Sequence, residues 1–311
     1  MIATVTLNPA IDKSITASRF AVGKTNRGEV DRVDAGGKGI NVAKALHRWG
    51  AAVCALGLVA GSNGRFILDA LGAEGIPADF VDVPGETRVN LKIRDPEMGT
   101  ETELNEPGFR VTSKHWEELR LKLEANAPRC ELMVFSGRLP PHAPPEIFAE
   151  LIHIAKVHGA KCFLDTTGPG LRHGLAAGPF LTKPNRAEVE ELLNTPIRTR
   201  RELVEAARTL LTMGSEQVLI SLGAEGALGL GGKDVLFGSP PPVKVLSSVG
   251  AGDTMVAAMA YAFAADLPFR QAFRMAVAAS AATAAMEGTT AADLAAVQEL
   301  IPKVKLEDVD G

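Results

Sequence analysis

Cysteine is scarce in this chain of 311 residues, and the few present do not suggest pairing. Cys54, Cys130 and Cys162 are odd in number and far apart, with no Cys-x-x-Cys spacing, so they build neither a disulfide framework nor a thiol metal site. Two of them lie in or next to apolar strand-like runs, a pattern that suits buried thiols in a reducing, cytoplasmic setting. The six histidines show no metal-ligand spacing, which argues against a structural or catalytic zinc. No window reaches the roughly 18 uncharged apolar residues of a membrane span. The opening "MIATVTLNPAID" has no basic segment followed by an apolar core, so it does not read as a signal peptide. Excess positive charge is missing too. The net charge of -4 argues against a nucleic-acid partner, although it leaves room for a locally basic pocket. Repeats, low-complexity tracts and long linkers are absent, so residues 1–311 are expected to form a single domain.

At 46% hydrophobic and 23% charged, the chain is globular and can bury a sizeable core. The runs 2–7, 52–59, 131–136, 160–165 and 217–222 are short, apolar and strand-like. Between them come the amphipathic stretches Ile40–Trp49, Ser113–Ala125, Pro145–His158 and Thr199–Met213. This alternation predicts an α/β fold with a mostly parallel central sheet and helices on both faces. Ligands of such sheets bind outside the carboxyl ends of the strands. Two segments break the rhythm: residues 13–35 and 87–105 carry short, alternating polar patterns, which predict small strands with one wet face. A few strands alone are marginal, so these should form a flap over the site or pair with another subunit. The tail "KVKLEDVDG" reads as a solvated end.

Four clusters carry chemistry. In "SSVGAGDTMVAAM" (247–259), Gly250 and Gly252 precede a helix, Met255–Ala265, that is apolar nearly all round and therefore internal. The first N–H groups of such a helix form an anion hole, and Asp253 stands beside it in the first turn. An acidic helix start is also common for its own sake. In "DAGGKGINVAKAL" (34–46), glycines flank Lys38 at another helix start, with Asn41 about one turn on. That grouping suits a polyhydroxylated or anionic ligand, and equally a glycine-rich helix entry. It is not a Walker A loop, because Gly39 follows the lysine where Ser or Thr is required, and no G-x-G-x-x-G follows the first strand. "TKPNRAEVEELL" (182–193) has Asn185 and Glu188 in a capping-box arrangement, or alternatively poised to organise Mg²⁺ and its waters. "SLGAEGAL" (221–228) is a strand, a glycine turn and a strand: an ordinary hairpin, or a cover for a nucleotide.

Each cluster alone is ambiguous. In this order, on a strand–helix alternation, they resemble the ribokinase/PfkB family of carbohydrate kinases. "GGKGINVAKAL" is similar to that family's first signature and "VGAGDTMVAAM" to its second, while "KPNRAE" matches its Asn-x-x-Glu magnesium motif. The likeness runs from "TLNPAID" to "AASAATAAMEGTT". It implies a ribokinase-like fold with a β lid, and ATP and Mg²⁺ as cofactors. By the resemblance Asp253 is the catalytic base and the amides of Gly250, Ala251, Gly252 and Asp253 are the anion hole. A carboxylate at a helix start is expected to be a weak base, because the dipole favours its ionised form.

The resemblance further assigns Asp12, Gly37, Lys38 and Asn41 to the sugar. Lys183, Asn185, Glu188, Ser221, Gly223 and Gly226 fall on the nucleotide side, with Asn185 and Glu188 acting on the metal through water. The small residues 276–283 should shape the adenine pocket. "GETRVNLKI" resembles the hexose-phosphate branch, in which Arg88 holds the substrate's own phosphate, beside Asn90 and with Lys24 from the other flap segment. The implied substrate is a ketohexose phosphate, fructose 1-phosphate first, with tagatose 6-phosphate and fructose 6-phosphate as alternatives. Arg138 in "FSGRLPP" departs from the family's usual serine and adds a cation near that phosphate. A non-catalytic sugar-phosphate-binding regulator is the alternative of another class. A homodimer through the lid is expected.

Overall fold

The computed structural model describes residues 1–286, 288 and 290–309. Its strands are β1 (Ile2–Thr6), β2 (Ala10–Thr16), β3 (Glu29–Gly36), β4 (Val53–Ala60), β5 (Ala78–Val83), β6 (Arg88–Asp95), β7 (Thr100–Asn105), β8 (Leu132–Ser136), β9 (Lys161–Asp165), β10 (Leu181–Thr182), β11 (Val218–Ser221), β12 (Ala227–Gly231), β13 (Asp234–Ser239) and β14 (Lys305–Asp308). The helices are α1 (Lys38–Arg48), α2 (Gly61–Ala73), α3 (Ser113–Asn126), α4 (Ile147–Val157), α5 (Gly168–Ala176), α6 (Arg186–Leu193), α7 (Arg200–Thr212), α8 (Ala251–Ala264), α9 (Phe269–Ala284) and α10 (Leu294–Leu300). Ten strands make one sheet in the order β14-β13-β12-β11-β10-β9-β8-β1-β4-β5. From β11 to β5 every pairing is parallel, and the β11-β12-β13-β14 end is antiparallel.

Period-two alternation along the central strands splits the core into two layers. Ile2, Leu132, Val134 and Phe163 pack on the face covered by α1, α8 and α9. Ala3, Val5, Met133, Phe135 and Leu164 pack on the opposite face, under α3, α4, α5 and α7. Both faces are buried, which is why β4 reads as an unbroken apolar run and β1 and β8 as mostly apolar ones. The helix starting at Ala251 is buried almost all round, as its composition demands.

A second sheet, β3-β2-β6-β7, stands apart from the first. Its strands come from the two polar segments, although β2 begins at Ala10, before residue 13. Register sorts its side chains. Asp12, Asn90 and Asn105 are paired positions on one face, Ser14, Lys92 and Glu103 on the next row of that face. Lys13, Val33, Leu91 and Leu104 occupy paired positions on the other.

One expectation fails. The tail is not a solvated end: Lys305–Asp308 pairs antiparallel with Asp234–Ser239 and closes the sheet edge. Ion pairs from Glu307 to Arg200 and from Asp308 to Arg270 fasten it, so the charges that suggested solvation hold an edge strand. Residues 310 and 311 of that tail, and residues 287 and 289 of the stretch "AASAATAAMEGTT", lie outside the described residues.

Candidate active site

The site forms at the carboxyl ends of β1, β8, β9, β10 and β11, where the lid sheet overhangs a cavity of about 340 Å³. Asp253 is at its floor, 8% exposed. Gly250 caps α8 with a left-handed φ of 78°, a turn that favours glycine. Thr254 N–H donates to the Gly250 carbonyl at 2.8 Å, as the first bond of the helix. The N–H groups of Ala251, Gly252 and Asp253 precede it, in the position that attracts anions. Asn41 Nδ2 donates to Asp253 Oδ2 at 2.7 Å. Burial, and then the charge of Asp165, push the Asp253 carboxyl up to about 6, against the pull of Lys38, the Asn41 bond and Lys183. The expected weak base is thus corrected: desolvation and a second carboxylate outweigh the helix dipole.

Beside it is a charge cluster that no single motif contains. Asp165 ends β9 and is 1% exposed. Its Oδ1 takes Lys38 Nζ at 3.0 Å and Lys183 Nζ at 3.4 Å, while Oδ2 is buried without a partner among the described residues. Burial opposes the Asp165 charge, but Lys183 and Lys38 outweigh it and hold the carboxyl below its usual range. Burial likewise opposes the Lys38 charge, yet Asp165, Glu188 and Asp253 together hold its ammonium above the ordinary value. Glu188 Oε1 lies 3.9 Å from Lys38 Nζ. Its other oxygen, Oε2, accepts from Asn185 N–H at 2.8 Å, and Asn185 Oδ1 accepts from Glu188 N–H at 2.9 Å. The Asn-x-x-Glu segment is therefore a true capping box, and the box aims one Glu188 oxygen at the cluster. Lys183 Nζ is 3.5 Å from where a Cβ on Gly252 would be, so this ammonium sits directly against the anion loop.

On the lid side, a relay of side chains lines the same cavity. Asn90 Nδ2 donates to Asp12 Oδ1 at 2.8 Å, and Arg88 Nη1 donates to Asn90 Oδ1 at 2.6 Å. The β2–β6 register sets Asp12 opposite Asn90, which makes the relay possible. Burial raises the Asp12 carboxyl, opposed by the Asn90 bond and Arg88. A Cβ on Gly36 would overlap Asp12 Oδ2, so the glycine run before α1 leaves the space this carboxylate fills.

A cavity with a buried carboxylate at a helix start, cations against an anion loop and a polar wall suits transfer of an anionic group to a hydroxyl. The family model described as pfkB family carbohydrate kinase matches residues 5–296. The chain belongs to the pfkB family of carbohydrate kinases. Membership makes this pfkB kinase a phosphotransferase with a hydroxyl acceptor. The 1-phosphofructokinase of Bacillus subtilis (strain 168) is 35% identical over 306 residues, covering 98% of this chain and 99% of its own. The ATP-dependent 6-phosphofructokinase isozyme 2 of Escherichia coli (strain K12) is 33% identical over 292 residues, 92% of this chain and 93% of its own. Among solved structures, phosphofructokinase-2 from Escherichia coli in complex with potassium matches with a TM-score of 0.91 at 30% identity, over 97% of this chain and 98% of that one. The ribokinase-like α/β fold and the hexose-phosphate branch read from the sequence both hold.

Of the residues singled out in this pfkB kinase, Asp12, Gly37, Lys38, Asn41, Arg88, Asn90 and Asp253 all line the one cavity. Lys183, Asn185 and Glu188 adjoin it through the Asp165 cluster. Ser221, Gly223 and Gly226 form the adjacent turn, tied in by Ser221 N–H donating to the Pro184 carbonyl at 3.1 Å. Lys24 is placed apart from these. It stands on the exposed loop between β2 and β3, outside the cavity lining, because the chain there turns out and is pinned by Asn26. Arg138 is exposed at the rim rather than in the lining. Residues 276–283 lie within α9, and most of them are buried in the core. Sequence reasoning missed Asp165 and Lys92. The signal for Asp165 was a lone carboxylate ending an apolar strand, in "AKCFLD", and for Lys92 the alternation of a lid strand.

Proposed function

We propose that this kinase uses ATP with Mg²⁺ to phosphorylate a ketohexose phosphate, with fructose 1-phosphate as the first choice and fructose 1,6-bisphosphate as the product. One observation carries the reading: a single cavity is lined both by the raised Asp253 carboxylate and by Arg88, whose guanidinium bonds, among the described residues, the neutral Asn8 carbonyl and Asn90 Oδ1. A half-buried guanidinium without a carboxylate bonded to it is well suited to a phosphate. The sugar hydroxyl oxygen attacks the γ-phosphorus, the bond to the ADP oxygen breaks, and the hydroxyl proton passes to Asp253. The Ala251 and Gly252 amides after Gly250, together with Lys38 and Lys183, hold the charge on the transferring group. Asp12, Gly37, Asn41 and Asn90 orient the sugar. Ser221, Gly223 and Gly226 cover the nucleotide.

The carboxylates fit a magnesium ion that keeps its waters, since Glu188 has one oxygen clear of its cap and Asp165 one buried oxygen without a partner among the described residues. Among the described residues, no group of three His, Cys, Asp or Glu side chains is placed to hold an ion directly. Glu188 and Asp165 would hold it through water, with Asn185 fixing Glu188; bound there, it would neutralise phosphate charge. The apolar outer row of the lid supports a homodimer through that sheet, and three free buried thiols support a cytoplasmic setting. A binding-only regulator would need no base beside an anion loop.

The test is ADP release measured with fructose 1-phosphate, fructose 6-phosphate, tagatose 6-phosphate and free fructose. The expected order of kcat/KM puts fructose 1-phosphate first and free fructose last. A higher value for either 6-phosphate overturns the choice of substrate, and no ADP release with any sugar favours the regulator.

A further inference from the structure

Between the main sheet and the lid the chain crosses at residues 7–9 before β2, at 37 after β3, at 84–87 before β6 and at 106–112 after β7. Asp253 stands on the main body and Asp12, Arg88 and Asn90 on the lid, so these crossings must hold the lid at one angle for the groups to meet one ligand. The first and last crossings are anchored in the core at Leu7 and Phe109, which share one apolar layer. On the lid side, Glu106 is bound to β6. Its N–H donates to the Val89 carbonyl at 3.2 Å, and its Oε2 accepts from Val89 N–H at 2.8 Å. That leaves residues 8–9 and 107–108 as the two short spans between anchored core and anchored lid.

One side chain joins the two spans. Asn8 is buried, and its Nδ2 donates to the Pro107 carbonyl at 3.1 Å and to the Leu139 carbonyl, in the loop after β8, at 3.4 Å. An amide nitrogen carries two hydrogens, and here each has its own acceptor. The Asn8 main-chain carbonyl accepts from Arg88 Nε at 3.3 Å, which ties the start of β6 to the same point. Gly108 makes the arrangement possible. It has a left-handed φ of 99°, and a Cβ on it would stand 2.3 Å from Asn8 Oδ1. Asn8 itself is outside the cavity lining.

We infer that Asn8 is a positioning residue for the sugar side of the reaction, a pin that fixes the lid against the β8 loop and so sets where Asp12, Arg88 and Asn90 stand relative to Asp253. It touches no substrate and acts through the lid. Residues that fix such junctions lie away from the chemistry yet govern how a lid meets its ligand. The inference rests on the reading of the lid as the sugar-holding wall.

The experiment measures KM for sugar and for ATP in wild type, Asn8→Ala, Asn8→Asp and Gly108→Ala at pH 8, with a thermal melt of each. The sugar is whichever of the four compounds above the wild type uses best, so a wrong choice of substrate leaves this test standing. Asn8→Ala is expected to raise the sugar KM by about 5- to 30-fold, the scale of one or two lost hydrogen bonds. KM for ATP should stay within about twofold, because Lys183, Glu188 and Ser221 lie outside the lid. Asn8→Asp keeps the shape but turns an acceptor toward two carbonyls, so its sugar KM should rise further than that of Asn8→Ala. Gly108→Ala displaces the Asn8 side chain and should show the same split between sugar and ATP. Unchanged constants, equal rises in both, a milder effect of Asp than of Ala, or loss of the fold in Asn8→Ala would each make Asn8 a residue of the fold alone and overturn the inference.

Discussion

Burial and the neighbouring Asp165 charge raise the Asp253 carboxyl to about 6, near the working range of a general base. The base must be ionised to act, so kcat should fall as pH drops below about 6 and level off above it. Asn41 donates to the ionised form and thereby lowers the pKa. Asn41→Ala should therefore move the acid limb of the kcat profile to higher pH, a shift that titration of the substrate's own phosphate cannot produce. Asp253→Asn should reduce kcat by roughly 10²- to 10⁴-fold. An unmoved limb in the first variant, or near-normal turnover in the second, removes Asp253 from the role. The identity of this residue was legible in the sequence, since glycine, aspartate and a buried helix stand together in 249–259. Its pKa was not. That depends on Asp165, brought alongside only when β9 pairs between β8 and β10, and strand order is not written in local periodicity.

At the scale of elements, helix starts do most of the positioning. α1 and α8 meet end to cavity, each entered through glycines with positive φ at Gly37 and Gly250. The five apolar strands and the main amphipathic helices were visible because burial on both sheet faces writes itself into composition. Less visible were β5, β13 and β14, which lie at or near sheet edges and keep polar positions, and the two-residue β10, too short for a period. Gly36 belongs to this scale. It pairs with Ala10 across β2 and β3, and its missing side chain makes room for Asp12. Gly36→Ala should push the Asp12 carboxylate aside, at a cost of about 1–3 kcal/mol in stability, typical of an added methyl in a filled space. KM for the sugar phosphate should rise well beyond that for ATP. Equal changes in both constants would mean that Gly36 serves only the fold.

For the whole molecule, the lid sheet poses the remaining structural demand. Its cavity face is polar and charged, with Lys92 paired to Glu101 at 3.0 Å. Its other face carries Val33, Leu91 and Leu104 in one row and Val30, Ile15 and Ile93 in the next. Leu104 is 64% exposed and Val30 53%. Six aliphatic side chains on one side of a four-stranded sheet make a surface that water alone covers poorly. A second copy presenting the same face satisfies it by two-fold symmetry, and would also steady a sheet that is marginal by itself. Sedimentation of wild type at micromolar concentration should therefore give twice the chain mass. Val33→Asp combined with Leu104→Asp places like charges in that contact, and should yield monomers with a raised KM for the sugar phosphate, because the lid strands carrying Asp12, Arg88 and Asn90 lose their support. KM for ATP should move much less, since Lys183, Glu188 and Ser221 stand on the main sheet and its helices. A wild-type monomer with full activity would show that the lid stands unaided and its apolar face serves another partner.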